Sequence, residues 1–161
     1  STPAFACTHG SDFSIVETPL LGERCVGSVA NLTVAEVDQI LRDDPRYPSP
    51  PENWKSNSHY QLPFPGAESL AQAGKRVSEY LVKLFESQQA SCTEGCLQLV
   101  VGHGAAFRHA AYELGVLEAE QIAKLSMFHA TPVFLQLEDG GNWKHVSGAW
   151  KVRKTATEDL D

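Results

Sequence analysis

Apolar residues recur along this chain with two different periods, and the alternation between them predicts its elements. Over Thr33 to Arg42, Val34, Val37, Ile40 and Leu41 fall on one helical face. Thr33 and Glu36 form a capping box at its start, and the stretch "DDPRYP" ends it. Gly66 to Gln89 predicts the longest helix, with Leu70, Ala73, Val77, Leu81, Leu84 and Phe85 on one side. Glu68, Lys75, Glu79, Lys83 and Glu86 occupy the other side, and Glu68 falls in the first turn, where it suits the helix dipole. Ala105 to Leu114, stopped by Gly115, and Glu118 to Met127 predict two more helices.

The remaining apolar stretches are too short for helices. Phe13 to Leu21 reads as a strand or extended segment, and Leu97 to Val101 as a buried strand that follows the turn "SCTEGC". Pro132 to Leu137 and Trp143 to Trp150 read as a hairpin around "EDGGN". Residues 45–65 hold Pro45, Pro48, Pro50, Pro51, Pro63 and Pro65, which fix φ and remove donors, so this segment is a long loop. A loop of that length belongs in a compact domain when it covers something. Trp54, His59 and Tyr60 lie in it and either line a pocket or anchor it to the surface. Strands alternate with helices, so the class is α/β, with a sheet covered on both faces and ligands expected at the carboxyl ends of its strands. The whole chain, 1–161, reads as a single domain, and 154–161 as a charged, frayed tail.

Composition narrows the function classes. The chain has 161 residues, 42% hydrophobic and 20% charged, ordinary for a globular domain with a sizeable core. No stretch approaches the roughly 18 apolar residues that span a bilayer. No signal peptide pattern is visible, and the chain starts at Ser1, as a processed, trimmed or internal piece would. A net charge of −7 argues against nucleic-acid binding, but a local pocket can still be basic and take a small anion. Cys7, Cys25, Cys92 and Cys96 lack the spacing of a metal site, so no metal and no cofactor is expected. They read as free thiols of a soluble protein in a reducing compartment, cytoplasmic or organellar, with a Cys92–Cys96 loop disulfide as the other reading. Asn31-Leu32-Thr33 matches a glycosylation sequon, which the capping role of Thr33 explains better.

Three short stretches carry candidate chemistry. In "VVGHG", His103 stands between Gly102 and Gly104 at the end of a strand and the start of a helix, where bare amides at Gly104 and Ala105 favour an anion. The alternative is a turn histidine that caps its own helix. In "LLGERCVG", Glu23 is a candidate general acid and Arg24 a candidate anion holder, against a plain surface ion pair. "PFPGAESLAQAGKRV" taken alone is a good helix start.

In order and spacing these stretches, Leu21 to Gly27, Pro65 to Val77 and Gly102 to Gly104, resemble the histidine phosphatase superfamily, the phosphoglycerate mutase-like group. "HATPVFLQLEDGGNW" resembles its closing strand, so the likeness runs over about Phe13 to Trp143. The resemblance implies a three-layer sandwich, with a mostly parallel central sheet and helices on both faces, shortened here at the N-terminus. It also implies roles. A first histidine from an R-H-G motif attacks the phosphoryl group, and an acid, matching Glu23, protonates the leaving oxygen. A second histidine, matching His103, stabilises the transferring group, and two arginines clamp the phosphate.

Two registers fit the front of the chain. In one, Thr8-His9-Gly10 is the first motif, with His9 the nucleophile and Thr8 in the arginine's place, far closer to Glu23 than the family's several tens of residues. In the other, "TPAFAC" matches a later S-P-x-x-R-A segment, with Ala6 in the arginine's place, and the nucleophile lies outside this chain. Arg108-His109 does not supply the motif, because it falls inside a predicted helix. Losing a clamp donor costs about 10²–10³ in rate, unless Arg24 or Lys55 substitutes. Three readings follow. The first is a phosphomonoesterase or phosphomutase that acts on a small phosphorylated metabolite through a phosphohistidine, with His9, Glu23 and His103 converging and Arg24, Gly104 and Ala105 binding substrate. The second is a catalytically degenerate member that serves as a binding or assembly subunit, with a protein partner or a second copy. The third is a piece of a longer enzyme.

Overall fold

The computed structural model describes residues 15–89 and 97–153. Its elements run in the order α1 (Val34–Asp43), α2 (Leu70–Gln89), α3 (Gly104–Glu113), α4 (Ala119–Lys124), β1 (Leu125–Ser126), β2 (Phe134–Leu137), β3 (Trp143–Ser147) and β4 (Lys151–Val152), with short 3₁₀ turns at Pro19–Leu21, Gly27–Val29 and Trp54–Ser56.

The predicted helices form where their caps are. Thr33 Oγ1 accepts from the Glu36 amide at 3.3 Å while Glu36 Oε2 accepts from the Thr33 amide at 2.7 Å, the reciprocal pair that opens α1. α2 starts at Leu70 rather than Gly66. The chain is still in a turn at Gly66 (φ 80), Ala67 bridges to Val26, and the reciprocal cap is made by Ser69 and Gln72, at 2.7 and 3.1 Å. Glu68 therefore precedes the helix instead of sitting in its first turn. α4 is shorter than expected: it ends at Lys124 because Leu125 and Ser126 pair antiparallel with β4.

Two apolar clusters hold these elements. Val37 and Leu41 of α1 pack with Val29, Trp54, Leu62, Phe64 and Ala67. Trp54 is buried and donates its Nε1–H to Asp38 Oδ1 at 2.8 Å, so it ties the proline-rich loop to α1 as an anchor. His59 is exposed, and Tyr60 is half-buried beside Trp54 with its hydroxyl unpartnered. The second cluster joins Ala73, Val77 and Leu81 of α2 to Ala106 and Ala110 of α3. These small residues let the helices approach closely: a Cβ on Gly74 would lie 2.7 Å from the His109 carbonyl carbon and 3.0 Å from the Ala110 nitrogen.

The strands depart furthest from expectation. The hairpin forms as β2–β3 around the predicted turn, and Phe85 of α2 meets Trp143 edge-on at 4.9 Å. It is shorter than predicted because Gly148 takes φ 84. The described strands make two separate antiparallel pairs, and no parallel sheet is present among the described residues. Leu97 to Val101 is not assigned as a strand, and Leu97, Leu99 and Val101 are exposed, at 80%, 74% and 67%, where burial was expected. Alternating apolar residues stay buried only with sheet neighbours to pack against. Residues 15–18 carry no regular structure, and Ile15 and Val16 are exposed. The expected turn "SCTEGC", the Cys92–Cys96 pairing, Cys7 and the tail from Lys154 lie outside the described residues. Cys25 is a free, exposed thiol.

Candidate active site

The turn that presents His103 is built from both sides. Val100 packs on the α2–α3 cluster, the chain stays extended through His103 (φ −104, ψ 132), and α3 begins at Gly104. The two glycines do different work. A Cβ on Gly102 would meet the Leu21 carbonyl at 2.9 Å and the Phe107 ring at 2.8 Å, so Gly102 lets the Glu23 segment lie against the turn. A Cβ on Gly104 would meet only Met127, at 3.5 Å. His103 occupies the N-cap position by backbone, yet its side chain makes no cap bond. Its Nδ1 lies 3.3 Å from Glu23 Oε2, with both side chains about half exposed. This contact is an ion pair whenever the imidazole is protonated.

Glu23 is delivered by a clamp. Arg76, two turns into α2, bonds Glu68 Oε1 and Oε2 at 2.8 and 2.9 Å and the Leu20 carbonyl at 2.7 Å. It also reaches the Gly22 and Glu23 carbonyls at 3.4 and 3.3 Å. Glu68 Oε2 accepts in turn from the Cys25 amide at 3.0 Å, and the Glu68 amide donates to the Cys25 carbonyl at 2.7 Å. The segment 20–25 is thus tied down on either side of Glu23 by one ion pair. Arg76 holds the Glu68 carboxyl below its ordinary range, and that carboxylate raises Arg76.

Glu23 and Arg24 do not pair through their side chains: Glu23 Oε1 accepts from the Arg24 amide at 2.8 Å. The Arg24 guanidinium lies 5.8 Å from the Trp54 ring centre. Burial pushes it down from its ordinary value, with Glu23 pulling the other way. Beside these residues opens a cavity of about 390 Å³, which Arg24, Lys55, Arg108, Arg153 and Ala105 line together with Glu23. A chain of net charge −7 therefore carries a cavity with four cations and one carboxylate in its wall. Among the described residues, no group of three or more His, Cys, Asp or Glu converges as metal ligands would.

Of the site residues expected from sequence, Glu23 and His103 come together, and Arg24 and Ala105 line the adjoining cavity, with Gly104 opening α3 beside it. His9 lies outside the described residues. Sequence reasoning missed Glu68, Arg76, Arg108 and Arg153. Arg108 could have been found, since it follows Ala105 by three positions on one helix face. Nothing in the sequence marks Arg153, which reaches the cavity because β4 pairs with β1.

Known proteins match the chain along most of its length. The family model described as histidine phosphatase superfamily (branch 1) matches residues 3–149. The 2,3-bisphosphoglycerate-dependent phosphoglycerate mutase of Parvibaculum lavamentivorans is 29% identical over 136 residues, which is 81% of this chain and 57% of that protein. The chain thus spans a little over half the length of that relative. No solved structure matches.

Proposed function

Because this chain belongs to the histidine phosphatase superfamily, we propose that it is a phosphomonoesterase or phosphomutase that acts on a small phosphorylated metabolite through a phosphohistidine. The 3.3 Å approach of His103 to Glu23 at the rim of a cationic cavity carries this reading. Glu23 protonates the leaving oxygen, and its half-exposed carboxyl can exchange that proton with water. His103 and the first amides of α3, at Gly104 and Ala105, face the charge that develops on the transferring phosphoryl group. Arg24 offers a guanidinium beside Glu23, in place of a clamp arginine that Thr8 or Ala6 replaces. His9 is the nucleophile. The three-layer sandwich around a mostly parallel sheet belongs to the same proposal, in which Leu97 to Val101 pairs within that sheet and so covers its exposed apolar residues.

The curated relative's name makes phosphoglycerate the first substrate to assay. The test is acid-quench trapping with a labelled phosphate ester. Label on the wild-type chain that disappears in His9→Ala and falls steeply in His103→Ala is expected. A folded wild-type chain that takes no label overturns the reading and leaves a binding or assembly role.

A further inference from the structure

The proline-rich loop holds a feature that the candidate active site does not use. Among the described residues, three Ser or Thr stand directly before a proline: Thr18, Ser49 and Thr131. Two of these hydroxyls are engaged in the fold. Thr18 Oγ1 accepts from the Leu20 amide at 3.2 Å and caps the turn at Pro19–Leu21, and Thr131 Oγ1 donates to the His129 carbonyl at 3.3 Å. Ser49 differs. It is exposed, and among the described residues neither its hydroxyl nor its amide has a partner.

The backbone around Ser49 suits an enzyme groove that takes an extended segment. Pro48, Pro50 and Pro51 lack N–H groups, and a residue that precedes a proline is driven out of the α region, so residues 48–51 carry no helix or turn. Both ends of this span are anchored. The Tyr47 ring meets Phe64 edge-on at 5.3 Å and its amide donates to the Asp44 carbonyl at 3.0 Å. On the other side the buried Trp54 donates its amide to the Pro51 carbonyl at 3.1 Å. Between these anchors Pro48, Ser49 and Pro51 are exposed and Pro50 is half-buried. The Ser49 hydroxyl can therefore be reached without breaking a hydrogen bond of the fold.

We propose that Ser49 is a phosphorylation site for a protein kinase that selects proline after the acceptor residue. Ser49 Oγ attacks the γ-phosphorus of ATP. The Oγ–P bond forms, the bond from that phosphorus to the β,γ-bridging oxygen breaks, ADP leaves, and the hydroxyl proton passes to the base of the kinase. Pro50 supplies the selectivity, because any other residue there brings an N–H that the groove desolvates and leaves unpaired. The modification adds a charge of about −1.5 to −2 at pH 7 to a loop that already carries Asp43, Asp44 and Glu52 against Arg42 and Arg46. Ser49 does not line the cavity beside Glu23, so the site stands or falls apart from the phosphoryl reading.

Incubation of the whole chain with a mitogen-activated protein kinase and Mg-ATP, followed by peptide mass mapping, tests the site. One phosphate on Ser49 is expected, ahead of any on Thr18 or Thr131. Pro50→Ala should slow its addition at least about tenfold, as one unpaired N–H in the groove requires. Ser49→Ala should abolish it while shifting Tm by no more than about 2 °C, because the hydroxyl holds nothing in the fold. No phosphate on Ser49, faster addition at either threonine, or a rate that Pro50→Ala leaves unchanged overturns the site. A larger fall in Tm for Ser49→Ala overturns it as well, since the hydroxyl would then be engaged in the fold.

Discussion

Arg76→Met tests whether one ion pair holds the Glu23 segment in place. The substitution removes two bonds to Glu68 and one to the Leu20 carbonyl, all between 2.7 and 2.9 Å, and keeps the aliphatic stem. Each bond to a charged group is worth about 1.5–3 kcal/mol, but the bonds share one guanidinium and do not add. Both side chains are about one-fifth exposed, 21% and 22%, so water re-solvates part of what is lost, and full burial costs of about 3–5 kcal/mol are an upper limit. A loss of about 3 kcal/mol is expected, or about 6–12 °C in Tm for a domain of this size. A double-mutant cycle with Glu68→Gln in urea isolates the pair. Coupling of about 1.5–2 kcal/mol is expected, against less than about 1 kcal/mol for an exposed surface pair. Coupling below about 0.5 kcal/mol would refute the clamp and make the contact an ordinary surface bridge.

Three further outcomes follow from the packing and titration of the same elements. Gly74→Ala should lower the urea midpoint by about 1–3 kcal/mol of stability despite alanine's better helix propensity, because its Cβ meets the α3 backbone; an unchanged midpoint would contradict the close crossing. Thr33→Ala should cost about 1 kcal/mol by removing the α1 cap, read by the same assay. Stability should also fall on acidification in two stages. Burial lowers His109 from its ordinary 6.5, so the unfolded chain takes up that proton first and stability declines as pH drops below 6.5, by at most about 1.4 kcal/mol per pH unit for one proton. The lowered Glu68 carboxyl contributes stability above its ordinary 4.5 that is lost as pH falls through its folded value. Replacing His109 with Gln should flatten the first stage alone, and an unchanged slope between pH 7 and 5 would show that His109 does not titrate differently on folding.

His109 illustrates how a helix interior sorts its polar groups. Its Nδ1 lies 2.8 Å from the Ala105 carbonyl, which can only accept, so Nδ1 carries the proton and Nε2 accepts from Ser58 Oγ at 3.0 Å. Arg108, one position earlier, faces the cavity instead. Adjacent residues on a helix point about 100° apart, so one motif supplies a satisfied core histidine and an arginine that bonds the Leu125 carbonyl through Nη1 and leaves its Nε–H without a partner.

Local signals were enough for the helices and for singling out two residues that the fold then brings together. Caps at Thr33 and the apolar periods of α1, α2 and α3 act within a few residues, so their positions could be read to within a turn. The turn around His103 could be read from the two glycines that flank it between an apolar run and a helix start, although the Leu21 carbonyl that requires Gly102 is distant in sequence. The strand at Leu97 to Val101 could not be settled that way, since burial of an apolar run depends on partners distant in sequence. The site divides along the same line. Sequence alone proposed Glu23 and His103, each from its own local motif. Only the tertiary structure brought them to 3.3 Å, showed that Arg76 reaches from α2 to hold one of them, and set Arg108 and Arg153 in one wall, because those contacts join residues tens of positions apart.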